Sequence, residues 1–209
     1  MNTLNVIFDI DGVIVDSEQL HFDVLSALLP AQTRGVSPED LIGLSLEATL
    51  LRIGIAPEQH HDITTQIISA YKASLGPRYL RAGIRGFIQH LMAQQIPFGF
   101  VSTAPRDICL ANIATLALPI TPLLISGDDV GRTKPHPDPY LAMLQRLGAR
   151  PDQTIVIEDT DLGIQAATDA GIERVYGWPH GLSGTESYAR AHKVIHALSE
   201  IDAVEAILT

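Results

Sequence analysis

The stretch LNVIFDIDGVIVDSE, Leu4 to Glu18, decides the fold. Its opening run, Leu4 to Phe8, is apolar and rich in β-branched side chains. Continuous apolar character over so short a run fits a strand covered on both faces, as in a parallel sheet. The run stops at Asp9, and Gly12 offers a turn three residues later. Three further runs look alike: Pro97 to Val101, Leu123 to Ser126 and Thr154 to Ile157, with a weaker one at Glu173 to Tyr176.

Helical patterns separate these runs. Ile84 to Gln95 places Ile84, Phe87, Ile88 and Leu91 at amphipathic spacing. Pro105 to Leu116 opens with proline where a first helical residue is expected. Pro137 to Leu147 carries the stripe Tyr140, Leu141, Leu144 and Leu147 and stops at Gly148, and Asp161 to Ala170 stops before Gly171. Strand–helix alternation of this kind predicts an α/β fold, a Rossmann-like parallel sheet with helices on both faces. The alternation breaks from Ser17 to Tyr79, where helical patterns occur at Ser17 to Leu29, Ser45 to Ile53 and Pro57 to Leu75. Residues 17–79 are therefore expected to form a helical insert after the first strand, with 1–16 and 80–209 making the core.

Composition narrows the function. The chain has 209 residues, 46% of them hydrophobic, enough for a sizeable core. Its net charge is −10, from 14 basic and 24 acidic residues, which argues against nucleic acid and against anionic membranes as partners. One cysteine, Cys109, excludes an internal disulfide and a cysteine-based zinc site, and it reads as a packed small residue. No run reaches the ~18 residues of a spanning helix, and the N-terminus does not resemble a signal peptide, so a cytoplasmic location is expected.

In open parallel sheets, ligands bind beyond the carboxyl ends of the strands. Asp9, Asp11 and Asp16 follow the first run; Ser102 and Thr103 follow the second; Asp128, Asp129 and then Lys134 follow the third; Glu158, Asp159 and Asp161 follow the fourth. Acids, a hydroxyl and a lysine thus collect at one end of the sheet. Carboxylates from neighbouring strands make an oxygen-rich site of the kind hard Mg²⁺ favours. A lone Asp-x-Asp would read as a pair of turn residues, but four coincident strand ends with matching polar groups set that reading aside.

FDIDGVIVDSE resembles the first motif of the haloacid dehalogenase superfamily, in its β-phosphoglucomutase and sugar-phosphate phosphatase subgroup. Ser102 in FGFVSTA looks like the second motif, Lys134 in RTKPHPDPY the third, and Glu158 and Asp159 in IVIEDTDLGIQAA the fourth. The helical insert falls where that family carries its cap domain. The resemblance implies a Mg²⁺-dependent phosphatase that acts on a small phosphorylated metabolite, such as a sugar phosphate, through an aspartyl-phosphate. Asp9 would be the nucleophile. Asp11 would be the general acid and then the base, its backbone carbonyl also facing the metal. Asp9 and Asp159 would ligate Mg²⁺, with Glu158 in or near the same shell. Ser102, Thr103 and Lys134 would bind the phosphoryl group, and His21 would lie near the substrate, though a partly exposed helix histidine is the alternative.

Asp16 reads as structural and Asp161 as an N-terminal helix acid, while Asp128 and Asp129 have no fixed role. His60 and His61 point apart on a helix and do not suggest a metal pair. Where the mutase has a phosphate-gripping arginine, the stretch IGLSLEA puts Leu46, and Arg52 is out of register. That departure favours hydrolysis over a phosphomutase activity. A dehalogenase should lack Asp11 and the Glu158–Asp159 pair. A phosphonate hydrolase needs a cap lysine, and Lys72 does not match its context. A non-catalytic phosphometabolite-binding protein would keep the fold with degraded motifs, and these are intact. A monomer or weak homodimer is expected.

Overall fold

The computed structural model describes residues 4–42, 44–184 and 186–201. Gly43 of the IGLSLEA stretch, Thr185 and both chain ends lie outside the described residues. The described core is a six-stranded parallel sheet in the order β3-β2-β1-β4-β5-β6. Its strands are β1 (Asn5–Asp9), β2 (Phe98–Val101), β3 (Leu124–Ile125), β4 (Thr154–Glu158), β5 (Arg174–Gly177) and β6 (Lys193–Val194). The expected α/β architecture is therefore present. The short sixth strand is an addition to it: two residues with a lysine carry no apolar run to read.

The helices are α1 (Ser17–Leu28), α2 (Leu46–Arg52), α3 (His60–Ser74), α4 (Ile84–Ala93), α5 (Arg106–Ala114), α6 (Asp138–Leu147) and α7 (Asp161–Asp169). Four expected helix starts shift, and Ser45 and Pro137 become the caps of α2 and α6. Pro105 has an extended backbone, ψ 149°, and caps α5 instead of opening it. Pro57 opens a separate turn of 3₁₀-helix, Pro57–Gln59, ahead of α3. Among the described residues, no helix is long and apolar enough to cross a membrane.

Strand alternation explains why the β1 run is apolar throughout. Val6 and Phe8 pack with Phe98, Phe100, Ile84 and Ile88 on one face of the sheet. Ile7, one residue out of phase, packs with Val101, Val156, Tyr140 and Met143 on the other. A third core forms among the insert helices, with Leu20, Leu25, Leu50, Ile67 and Tyr71 as buried members and Ile108 of α5 packed against it.

β1 lies between β2 and β4, the point where the chain, having moved outward to β3, crosses back to build the other half of the sheet. Such a switch point leaves a crevice at the strand ends. The register puts Asp9 level with Val101, pairs Phe8 with Ile157, and pairs Glu158 with Gly177. The last residues of β1 and β4 and the first residue after β2 therefore reach one edge together.

Candidate active site

Asp9 ends β1, where the residue is 5% exposed. Its carboxylate receives a hydrogen bond from Lys134 Nζ, which also donates to Glu158 Oε1 at 2.5 Å. Burial opposes the charge on Lys134, but Asp9 and Glu158 outweigh it and hold the ammonium well above the ordinary lysine pKa. Tyr140 Oη of α6 donates to the same Glu158 oxygen at 2.6 Å, and Glu158 Oε2 accepts from the backbone N–H of Asp159 at 3.1 Å. Glu158 is thus pinned at both oxygens. Gly163 of α7 passes so close that a Cβ there would overlap the Glu158 carboxyl.

Asp159 follows directly and is also buried. Oxygens of Asp9, Glu158 and Asp159 lie within 4.8 Å of one another. Burial, reinforced by mutual repulsion, pushes the Asp159 pKa up, and Asp9 is raised by burial against the pull of Lys134. Three enclosed carboxylates face one ammonium, so the cluster carries excess negative charge. A hard divalent cation relieves that excess, and an all-oxygen donor set suits it. On the far side, Leu182 N–H donates to His180 Nδ1, which places the proton of the neutral ring on Nε2, 3.5 Å from Asp159 Oδ2. Burial holds His180 below its ordinary pKa, in keeping with that neutral form.

The chain turns after Asp9 at Gly12, φ +77°, where a Cβ would collide with the Asp159 carboxylate. Glycine is required there for both conformation and space. Arg81 donates to the Gly12 carbonyl at 2.5 Å while lying over the Trp178 ring, and so holds the turn down. The turn swings Asp11 away from the metal-type cluster. Ser102 Oγ donates to Asp11 Oδ2 at 2.8 Å, and Asn112 Nδ2 of α5 donates to Oδ1 at 3.1 Å. Tyr71 Oη of α3 donates to Asn112 Oδ1 at 3.1 Å, so an insert helix fixes which end of the amide faces Asp11. Burial raises the Asp11 pKa, partly offset by these donors.

Two cavities meet at Asp11 and Thr103. One, about 380 Å³, is lined by Asp9, Asp159, Lys134 and Thr133. The other, about 470 Å³, lies toward the insert and is lined by Ser17, Glu18, His21, Leu46 and Tyr71 among others. A third, about 620 Å³, against Arg81, Trp178 and Leu198, contains none of these acids.

Every anticipated site residue therefore lies in or beside one of the first two cavities. Asp9, Glu158, Asp159 and Lys134 form one cluster; Asp11 and Ser102 form an adjoining pair; His21 lines the insert-side cavity. Asp16 caps α1 through Gln19 N–H, and Asp161 at the start of α7 accepts from Ser187 and Tyr188. Asp129 accepts from Ser126 and pairs with Arg106, and Asp128 accepts from the Arg106 N–H. Lys72 pairs with Asp107, and His60 contacts the Ile55 carbonyl at 3.0 Å. Cys109 is buried, its thiol pushed up to about 12 by burial. Sequence reasoning misses the site contacts of Tyr140, Asn112, Tyr71, Glu18 and His180. Only Asn112, a polar residue inside an apolar helix pattern, carries a usable signal.

The family model for haloacid dehalogenase-like hydrolases matches residues 6–176, and the chain belongs to that family. Validoxylamine A 7'-phosphate phosphatase of Streptomyces hygroscopicus subsp. limoneus is 30% identical over 93% of this chain and 94% of its own. A phosphorylated carbohydrates phosphatase of Thermotoga maritima is 25% identical over 94% of this chain and 98% of its own. A HAD family hydrolase from Deinococcus radiodurans R1, solved with bound phosphate and sodium, superposes with a TM-score of 0.79 at 25% identity, covering 99% of this chain and 97% of its own.

Proposed function

We propose that this protein is a Mg²⁺-dependent phosphatase of a small phosphorylated carbohydrate, working through an aspartyl-phosphate on Asp9. One observation carries the reading: the Asp9 carboxylate sits between an ammonium and two further buried acids, while Asp11, two residues on, stands where that cavity opens into a second one. Phosphatase relatives covering nearly the whole chain support it.

In the first step an Asp9 oxygen attacks phosphorus and the ester P–O bond breaks. The leaving alkoxide takes a proton from Asp11, whose raised pKa favours holding one. In the second step Asp11, now a carboxylate, takes a proton from water. The resulting hydroxide displaces phosphate from the acyl-phosphate and restores Asp9. Lys134 offsets charge on the phosphoryl oxygens. Ser102 has one proton to give; a protonated Asp11 accepts it more weakly and frees it for a phosphoryl oxygen. Asp9 and Asp159 would hold the metal, with the Asp11 backbone carbonyl and Glu158 beside them, and the bound cation would neutralise the phosphate dianion. The helices of residues 17–79 act as a cap that shields the acyl-phosphate from bulk water. A cytoplasmic location fits a small phosphorylated metabolite as substrate, and a monomer or weak homodimer suffices because one chain supplies every group named.

Phosphate release from sugar and polyol phosphates, with Mg²⁺ and with excess chelator, tests the reading. Turnover that survives chelation removes the metal from it. An acyl-phosphate trapped on wild type and absent from Asp9→Asn supports the covalent step. Faster production of glucose 6-phosphate than of phosphate from β-glucose 1-phosphate favours the phosphomutase instead.

A further inference from the structure

The insert-side cavity has a charge pattern of its own. Apart from Asp11 at its mouth, its wall carries one acid among the described residues, Glu18, in the first turn of α1. Glu18 lines this cavity together with Asp11, and burial, with repulsion from Asp11 and Asp16, raises its pKa. No lysine or arginine lines the cavity among the described residues. Basic residues on the surrounding elements are paired or exposed: Lys72 pairs with Asp107, Arg106 pairs with Asp129, Lys134 holds Asp9 and Glu158, and Arg52 is exposed at the end of α2. His21 does not supply a cation, since burial lowers its pKa, and its Nε2 is enclosed without a hydrogen-bond partner. Much of the remaining lining is apolar, with Leu46 of α2, Ile67 and Ile68 of α3 and Ile108 of α5. An anionic group brought into such a space loses hydration and meets a carboxylate, with no guanidinium or ammonium to receive it.

We propose that this cavity takes the alcohol half of the substrate and selects a neutral or ammonium-bearing alcohol with an apolar face over one carrying a carboxylate or second phosphate, with Glu18 setting the charge preference. The proposal rests on the phosphatase reading and names the substrate class within it. A polyol or amino-polyol monophosphate fits: hydroxyl or ammonium groups donate toward Glu18, and the C–H face lies on the isoleucines.

The test uses three phosphate esters of one chain length that differ only at the far carbon: the 6-phosphates of glucitol, gluconate and 1-amino-1-deoxyglucitol. 4-Nitrophenyl phosphate reports on hydrolysis as such. Wild type should favour the glucitol over the gluconate ester by about tenfold or more in kcat/KM, the size expected of one like-charge encounter in a partly desolvated site. The amino ester should equal or exceed the glucitol ester. Glu18→Gln, nearly isosteric, should shrink the glucitol-to-gluconate ratio to about threefold or less and remove the advantage of the amino ester. A gluconate ester turned over as well as the glucitol ester by wild type overturns the proposal without any variant. A ratio unmoved in folded Glu18→Gln overturns the role of Glu18. No turnover of any ester, 4-nitrophenyl phosphate included, overturns the phosphatase reading and this proposal with it.

Discussion

The two cavities that meet at Asp11 are built by different means. The first is assembled largely from strand ends: Asp9 terminates β1 and Asp159 directly follows β4, while Lys134, from the segment between β3 and α6, is tied to them through Asp9 and Glu158. Backbone pairing sets the strand-end positions and the buried ion pairs set Lys134, so each side chain has little freedom of placement or chemistry. The second is assembled from helix faces, α1, α2 and α3 against the start of α5, where a changed side chain leaves the backbone undisturbed. Changes in the first should therefore disable every substrate alike, and changes in the second should re-rank substrates.

Asp9→Asn is the hardest test of that division. Turnover of all esters should fall by about 10⁴-fold or more, because the amide cannot form the acyl-phosphate. The fold should survive: in chelator, removing one of three crowded carboxylates relieves repulsion, so the melting temperature should hold or rise. A loss confined to one substrate class would break the comparison. So would a sharp drop in melting temperature.

Lys134→Met should cost about 10²- to 10³-fold on every ester, because a developing negative charge loses its ammonium. It should also destabilise the metal-free protein, since Asp9, Glu158 and Asp159 are then enclosed without a cation. Added Mg²⁺ should recover part of that loss in a thermal melt.

Asn112→Leu probes the border between the two cavities. It removes the donor to Asp11 Oδ1 and leaves the Tyr71 hydroxyl without its acceptor. A misaligned acid matters most where the leaving group is a poor one. kcat for alkyl phosphates should fall by about tenfold or more, while 4-nitrophenyl phosphate loses only about two- to threefold, with KM little changed for both. Equal losses on both substrates would mean that Asn112 supports the fold and does not position the acid.

The same division governs what can be read from sequence. The strand-end residues are legible because a short apolar run followed by Asp, Ser or Glu–Asp states both the element and the edge it reaches. Glu158 shows the limit: its position at the end of β4 is readable, but its bonds to Lys134 and Tyr140 depend on how α6 packs on the sheet. Tyr140 reads in the sequence only as a helix-stripe residue, yet its hydroxyl donates to Glu158 and its ring lies 5.5 Å from Lys134 Nζ. Tyr71 and Asn112 lie 41 positions apart and meet only because α3 docks on α5. β6 has too few residues to show a period.

The mildest test puts a cation where the insert-side cavity has none. Leu46 is the first residue of α2 and lines that cavity, while Arg52, six positions on, is exposed at the other end of the helix. Leu46→Arg leaves the capping bond from Ala48 N–H to Ser45 Oγ in place, so α2 should form as before. The new guanidinium replaces part of the apolar lining of the cavity that Glu18 also lines. The glucitol ester loses C–H contact, and its kcat/KM should fall about two- to threefold. The gluconate ester gains a charged partner, offset in part because the guanidinium would also be drawn to Glu18; a net rise of about three- to fivefold is expected, expressed mainly in KM. The same guanidinium should hold a bisphosphate longer, so the variant should convert more β-glucose 1-phosphate to glucose 6-phosphate per phosphate released than wild type does. A variant that slows all esters by one common factor would show that Leu46 only shapes the entrance, and that the charge character of this cavity is set elsewhere on its wall.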